Sequence, residues 1–411
     1  MSGRRRFVLA AGYTALLEAF SKPLIGRSAV PSLALLIAVT MTGTVAMHVF
    51  VPAMPEAARD LGVSPALIQS TITLYIGGLA IGQLFYGPLS DRFGRRPALL
   101  VSLVLYLVGL VAAIPASTIT ALVMARVLQS LGACGALVIG RAMVRDSSRG
   151  DDIVRRLAAL TIAMTVTPAL APALGGVISS RFGWNGIFVI LAAVVAVLLA
   201  LVVTSLPETG GAAAPQSGMR AMFTNFGRLL LQPSFRNYLI AGTLCTTSIY
   251  AFLSASPFLF VDLLHRTASE AGIYCMVVLA GMIVGATIAR RTAGRIPIRS
   301  GALWGSRCCL FGAALLLAID LAHLLSVPAI IAPMIVYSVG VGLMSPNAVS
   351  GLMNAAPGAV GTASSLYGFC QMSFGALVTF VVAVWQDGTA LPVAAILVIA
   401  ATTAQLALHR L

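Results

Sequence analysis

Twelve apolar stretches follow one another with short polar breaks between them, and they decide which solvent this chain folds in. A helix rising about 1.5 Å per residue needs roughly 20 apolar residues to cross a hydrocarbon core about 30 Å thick. Stretches of that kind occupy 32–53, 66–88, 98–115, 118–140, 158–180 and 184–206, then 237–260, 271–290, 301–321, 327–349, 363–384 and 390–408. The 411 residues are 59% hydrophobic and 9% charged, with a mean hydropathy of +0.98, whereas soluble domains carry about a quarter charged residues. The expectation is an all-α membrane protein with twelve transmembrane helices.

The cations set the expected orientation. They cluster ahead of the first stretch (Arg4 to Arg27, with Lys22), at 92–96, 141–156, 220–236 and 290–307, and at Arg410. All of these fall at one end of the spans. Only Arg59, Arg181 and Arg266 fall at the other, and Arg126 lies inside the fourth. Loops rich in Lys and Arg stay in the cytoplasm, so a multi-pass inner (plasma) membrane protein with both termini cytoplasmic is expected. A net charge of +14 would suggest nucleic acid for a soluble protein. Here the membrane surface accounts for it, and no nucleic-acid partner is expected. GRRRFVLAA near the start resembles a twin-arginine export signal, but Glu18 interrupts the apolar stretch after it, so residues 1–31 read as a basic cytoplasmic tail.

Several chemistries find no residues to carry them. The lone lysine, Lys22, precedes Pro23 rather than Ser or Thr, so there is no phosphate-cradling Gly-Lys-Ser/Thr loop. Six cysteines form no CxxC pair and sit in or beside apolar stretches, as small packing residues rather than disulfides or metal ligands. The four histidines (His48, His265, His323, His409) are scattered. No metal, no cofactor and no enzyme activity are expected.

The longest polar break, 207–236, opens with PETGGAAAPQSG and reads as a flexible cytoplasmic linker. It divides the chain into six spans over 32–206 and six over 237–411. Between the second and third spans stands GQLFYGPLSDRFGRRP, with Asp91 followed by Arg92, Arg95 and Arg96 and with Gly87 and Gly94 among them. Positive-inside charge accounts for the arginines. It does not account for the acid and the glycines, which permit tight turns and close backbone approach. Gly285, Arg290, Arg291, Gly294 and Arg295 echo this motif after the eighth span, 198 positions on when Gly285 is matched to Gly87. The echo points to two duplicated, pseudo-symmetric bundles.

These residues resemble the major facilitator superfamily along nearly the whole chain. GPLSDRFGRRP is similar to its loop motif, Arg126-Val-Leu-Gln129-Ser-Leu-Gly132 to its fourth-helix motif, and Pro168, Pro172, Gly175 and Gly176 to the fifth-helix signature of drug exporters. VPAMP at Val51 to Pro55, GRAMVRD ending at Asp146, and GTASSLYGFCQMSFGAL at Gly361 to Leu377 resemble the bicyclomycin- and chloramphenicol-resistance (Bcr/CflA) branch.

The resemblance implies alternating access around a site near the bilayer midplane. The loop motif then acts as a cytoplasmic gate. Asp91 caps a facing helix of the second half, while the arginines meet acids such as Asp146, Asp151 and Asp152 or lipid phosphates. The fifth-helix residues act as hinge or seal. The branch often carries an acid in its first span where counting back from Pro52 gives His48. None of the twelve acids falls securely at mid-membrane, so His48 and Arg126 are the candidates for proton coupling. Gln129, Tyr75, Tyr250, Asn347, Tyr367 and Gln371 are candidate cavity residues. The expected function is export of small, largely apolar, neutral or anionic compounds by proton antiport. The alternative is a metabolite exporter or facilitator without proton coupling. The expected partners are a small-molecule substrate, protons and membrane lipids, for a monomer.

Overall fold

The structure is a computed structural model and describes residues 31–148, 151–209, 219–356, 360–385 and 389–411. The basic tail through residue 30, Arg149, linker residues 210–218 and Asp387 lie outside the described residues, as do the side chains of Asp151 and Asp152.

Every regular element among the described residues is helical, the form in which a segment pairs all its backbone groups without help from water. Span 1 is Leu33–Val49, continued through a 3-10 turn at Val51–Ala53 into Met54–Asp60. Spans 2, 3 and 4 are Pro65–Phe93, Arg95–Ala113 and Ile119–Asp146. Spans 5 and 6 form one helical run, Asp151–Ser205, broken at Gly183, whose φ of 69° and ψ of 169° are not helical. Its apolar part, Val166–Ser205, has 40 residues and would measure about 60 Å if straight, twice the hydrocarbon core. The turn at Gly183 converts it into two crossings. Span 7 runs Pro233–Thr247, Ile249–Pro257 and a π-helical turn Phe258–Leu263. Spans 8 to 12 are Ala268–Thr292, Ile298–Leu321, Val327–Ala355, Val360–Val384 and Leu391–His409.

Two boundaries differ from expectation. The hairpin between spans 2 and 3 is shorter than its sequence implies, because span 2 stays helical through Pro88 to Phe93 and span 3 starts at Arg95. Only Gly94 is left as the turn, at φ 94° and ψ 152°, a conformation open to glycine and strained for other residues. The linker is not wholly irregular either, since Met219–Leu231 is a helix and span 7 begins at Pro233. Its apolar side, Phe226 and Leu229, packs with Phe235, Leu239, Leu352 and Leu366 of the second half.

Each half centres on a core, one drawing on residues from Leu36 to Leu206 together with Phe258 of span 7 and the other on residues from Ala241 to Leu408. Large apolar side chains such as Met124, Phe311 and Ile399 are more than 60% exposed, as a lipid-facing surface requires.

Helix packing shows the duplication in a different register from the sequence echo. A Cβ on Gly78 of span 2 would meet Ser130 and the Val127 carbonyl, and one on Gly281 of span 8 would meet Ser338 and the Ile335 carbonyl. Gly109 of span 3 faces Gln129 as Gly312 of span 9 faces Tyr337, and Gly132 faces Tyr106 as Gly340 faces Cys309. Spans 2 and 3 therefore map onto spans 8 and 9 with a shift of 203 (78 to 281, 109 to 312), and span 4 onto span 10 with a shift of 208 (129 to 337). Gly285 corresponds to Gly82, not to Gly87. The 198-residue echo matched like residues rather than equivalent positions.

Candidate functional site

At the arginine-rich end of the first half, the loop motif ties four spans together. With Gly94 turning the chain, the Arg95 and Arg96 backbone N–H groups at the start of span 3 donate to Glu208 Oε1 and Oε2 at 2.9 and 3.0 Å. A carboxylate there pairs donors that have no partner within the helix and meets the positive end of its dipole. A Cβ on Gly94 would sit 2.8 Å from Glu208 Oε2, so Gly94 both makes the turn and leaves room for the cap. Arg95 Nε donates to Asp146 Oδ2 at 2.8 Å, and its Nη1 meets Asp91 Oδ1 at 2.5 Å and Ser90 Oγ at 2.6 Å. Arg96 Nη2 donates to the Val203 carbonyl at 2.8 Å. Arg92 lies over the Phe93 ring.

The sequence-based partner Asp146 is thus in place, but Asp91 faces Arg95 of its own half rather than a helix of the second. Glu208, the acid that does cap a helix, was read from the sequence only as part of the end of span 6. Its pairing with a helix start 112 residues earlier has no local signal. Gly87 has no non-local atom within 4 Å of where a Cβ would stand.

Span 4 carries the second constellation. Arg126 is fully buried, and its Nη1 donates to the Ala46 carbonyl of span 1 at 3.2 Å and to Gln129 Oε1 at 2.6 Å. Its guanidinium carbon lies 4.2 Å from the Tyr75 ring centre, 5.3 Å from that of Phe50 and 6.0 Å from that of Phe188. Aromatic faces attract a desolvated cation, yet among the described residues no carboxylate is within 4 Å, and Arg126 Nε and Nη2 and Gln129 Nε2 have no hydrogen-bond partner. Tyr75 donates its hydroxyl to the Gly43 carbonyl at 2.8 Å.

His48, buried, points its Nδ1 at the Thr44 carbonyl at 2.8 Å while Nε2 is unpartnered. A carbonyl only accepts, so Nδ1 carries the hydrogen and Nε2 of the neutral ring keeps a free lone pair. Its ring lies 6.1 Å from that of Tyr250 in span 7, so His48 stands at the contact between the halves. Neither ring nitrogen is hydrogen-bonded to Arg126.

In the second half, Gln371 Nε2 donates to Thr246 Oγ1 at 2.8 Å and to Tyr367 OH at 3.1 Å, and Gly375 packs on the Tyr250 ring. Gln371 and Tyr367 thus share a hydrogen bond on span 11, and the Tyr250 ring of span 7 packs one turn along the same helix. Asn347 stands apart, bonded to the Leu343 carbonyl and packed on Gly301 of span 9.

The halves pack closely at the arginine-poor end, and spans 2 and 11 also touch further along, where a Cβ on Gly368 would meet Gln83. A Cβ on Gly176 of span 5 would lie 2.6 Å from the Ala268 carbonyl oxygen of span 8, and Gly272 of span 8 meets the Pro172 carbonyl in return. Gly175 abuts the Val49 carbonyl of span 1. Pro168 lies within the same helix. Thr73 donates to Thr379 across spans 2 and 11 at 2.9 Å, and Arg59 reaches Asp262 at 3.6 Å. Among the described residues, span 4 has no hydrogen bond or ion pair to the second half.

The sequence profile of the Major Facilitator Superfamily matches residues 33–379. The chain belongs to this superfamily. It is similar to Multidrug resistance protein D of Escherichia coli K12, 28% identical over 82% of this chain and 85% of the relative. The Chloramphenicol resistance protein of Pseudomonas aeruginosa is 29% identical over 86% and 84%, and the Bicyclomycin resistance protein homolog of Haemophilus influenzae 28% over 84% and 87%. Those names are consistent with the Bcr/CflA branch. Among solved structures, the E. coli xylose transporter XylE in a partially occluded inward-open conformation aligns with TM-score 0.70 at 14% identity, over 92% of this chain and 95% of that one. An inward-facing bacterial homolog of the human lysosomal transporter Spinster gives 0.69 at 15%, over 94% and 98%. At these identities the likeness is one of fold. As a member of the superfamily, the chain is a multi-pass membrane transporter and not an enzyme.

Proposed function

We propose that this member of the superfamily exports small, largely apolar, neutral or anionic compounds of the amphenicol or bicyclomycin type by alternating access with proton antiport. The observation that carries the reading is Arg126, a buried guanidinium with aromatic walls, unpaired donors and, among the described residues, no acid beside it. An intramembrane charge is expensive and kept for function. This one repels lipophilic cations and attracts acceptor-rich or negatively charged molecules. The relatives' resistance names support efflux.

With the arginine-rich end in the cytoplasm, the glycine contacts of spans 5 and 8 close the outer side, and the arrangement is the inward-facing member of the cycle. Pro168, Pro172, Gly175 and Gly176 then serve as the outer seal. Gly87, uncovered here, is the flat surface that the second half meets when the inner side closes over the Asp91–Arg95–Asp146 cluster. His48, with its free Nε2, is the proton carrier.

Uptake of a compound panel into inverted vesicles, with and without an acid-inside gradient, tests the reading. Neutral and anionic compounds should accumulate only with the gradient, and His48→Gln should leave downhill movement while removing accumulation. Strong saturable uptake of ethidium would falsify the substrate class. The second reading, a facilitator without proton coupling, is favoured by one observation: no described carboxylate lies beside Arg126 or His48. It requires equilibration that ignores the gradient.

A further inference from the structure

Span 4 holds a second arginine whose surroundings are unusual. Arg95 and Arg145, close by at the arginine-rich end, are neutralised by Asp91 and Asp146. Among the described residues Arg141 is in no ion pair, and its Nη2 meets the Met164 thioether of span 5 at 3.1 Å. Arg141 keeps solvent-accessible surface while densely surrounded by protein, as a residue lining a cleft does. Ser130, Cys134 and Arg141 share one stripe of the helix, within about 40° of one another at 100° per residue. Toward the arginine-poor end that stripe is covered, as Ser130 and Cys134 pack on Gly78 and Gly82 of span 2. Further along, span 2 offers Gly87 with nothing against it, and the stripe emerges at Arg141. Arg126 lies on the same side of span 4, about 60° around and about 22 Å along the helix.

We infer that Arg141 is the capture point for a small organic anion with an apolar body and its charge on oxygen, which then moves along span 4 to Arg126. The inference rests on the export reading and narrows its substrate class. An exposed guanidinium without an acid raises the local concentration of anions and their rate of arrival, and salt screens that attraction. Arg126, dry and unpaired, supplies the stronger site. Substrate negative charge would provide the counterion that Arg126 lacks.

The test compares naphthalene-2-sulfonate with its neutral isostere naphthalene-2-sulfonamide, as uptake into inverted vesicles carrying the full chain. Wild type should take up both, and sulfonate uptake should fall as ionic strength rises. In Arg141→Gln the sulfonate-to-sulfonamide ratio of kcat/KM should drop about tenfold, the scale of one lost steering charge, and the salt dependence should flatten. Arg141→Lys should restore both. An unchanged ratio with unchanged salt dependence makes Arg141 an ordinary membrane-surface charge and overturns the inference. Uptake of the sulfonamide alone by wild type overturns the anion path but leaves export standing. Uptake of neither removes both.

Discussion

The two halves share a scaffold and differ in what they bury. By packing register, Gln129 of span 4 corresponds to Tyr337 of span 10, Arg126 to Met334 and Tyr75 to Val278, and all six are buried. In the second half the hydroxyl of Tyr337 is met by Ser248 at 2.5 Å and the Cys245 carbonyl at 3.2 Å. Where the first half puts its guanidinium, the second puts a thioether that fills space and asks for no partner. The first half leaves nitrogens of Arg126, Gln129 and His48 unpaired, whereas the partnerless buried atoms of the second half, among the described residues, are hydroxyls of Thr243, Ser254 and Ser338. The halves therefore share a frame, and the buried guanidinium stands on one side of it. Unpaired buried nitrogens are a stability cost that pairing would remove, and at these equivalent positions the first half carries them where the second has Met334 and a hydrogen-bonded Tyr337.

Exchanging the two equivalent residues should give the largest effects, and in opposite directions. Met334→Arg puts an uncompensated charge into a site where Val278 stands in the place of Tyr75, and should destabilise the protein by several kcal/mol, on the order of 3–5. Arg126→Met should abolish transport, by at least about a hundredfold for a charge acting in a dry site. Its melting temperature should hold or rise, since replacing buried ions by packed apolar groups is often neutral or stabilising by about 1–4 kcal/mol. Thermal unfolding in detergent and vesicle uptake measured on the same preparations separate the outcomes. A Met variant that melts well below wild type would mean that Arg126 is structural.

The next effect tests the contact between the halves rather than their interiors. Gly272→Ala places a methyl against the Pro172 carbonyl, and overpacking of this kind costs about 1–3 kcal/mol. Because the clash exists only where spans 5 and 8 touch, it should fall on one conformation and shift the population of the closed arginine-poor end by about 5- to 150-fold at those energies. Cysteine labelling at Ser64, on the rim of that end, should become faster. Gly87→Ala, made where nothing stands nearby, should leave this state untouched and penalise the opposite one. Equal labelling in the two variants would remove the seal from spans 5 and 8.

How much of this was legible beforehand follows from the range of each interaction. Hydrophobic length and arginine placement are local, so the twelve crossings could be read from the chain, even where spans 5 and 6 run together and only the φ of Gly183 separates them. Arg126 stood out because a charge inside an apolar run is conspicuous. Its cage was less legible, since Phe50, Tyr75 and Phe188 come from spans 1, 2 and 6 and look like ordinary core residues. The capping of span 3 by Glu208 depends on how spans 3 and 6 end side by side, which no motif encodes. The duplication was visible but misregistered, because the repeated glycines chosen for likeness, Gly87 and Gly285, do not occupy equivalent contacts.

A smaller effect compares how each half fastens its middle and last spans. In the first, an acid on span 6's end holds the N–H groups of span 3. In the second, Arg299 of span 9 donates to the Leu408 and His409 carbonyls at the end of span 12, at 3.2 and 3.1 Å. Glu208→Gln should cost about 1–2 kcal/mol, a charged cap at a partly buried helix start. Arg299→Gln should cost less, because its guanidinium also reaches solvent. Chemical denaturation in detergent would rank them, and a larger loss for Arg299→Gln would reverse the assignment of the stronger clasp.

The smallest expected effect is at the ion pair that bridges the halves in plain view. Arg59 and Asp262 are 3.6 Å apart, with side chains 64% and 46% exposed. Water screens both charges and two long side chains give up freedom to meet, so such pairs contribute about 0–1 kcal/mol. Arg59→Gln should therefore change stability and transport by little, and what it does change should vanish in high salt. The contrast with Gly272 is the point of the measurement. If closure of this end depends on backbone contact between glycines, the exposed pair is expendable. If Arg59→Gln opens the end as strongly as Gly272→Ala in the same labelling assay, electrostatic attraction rather than close packing holds the halves together there.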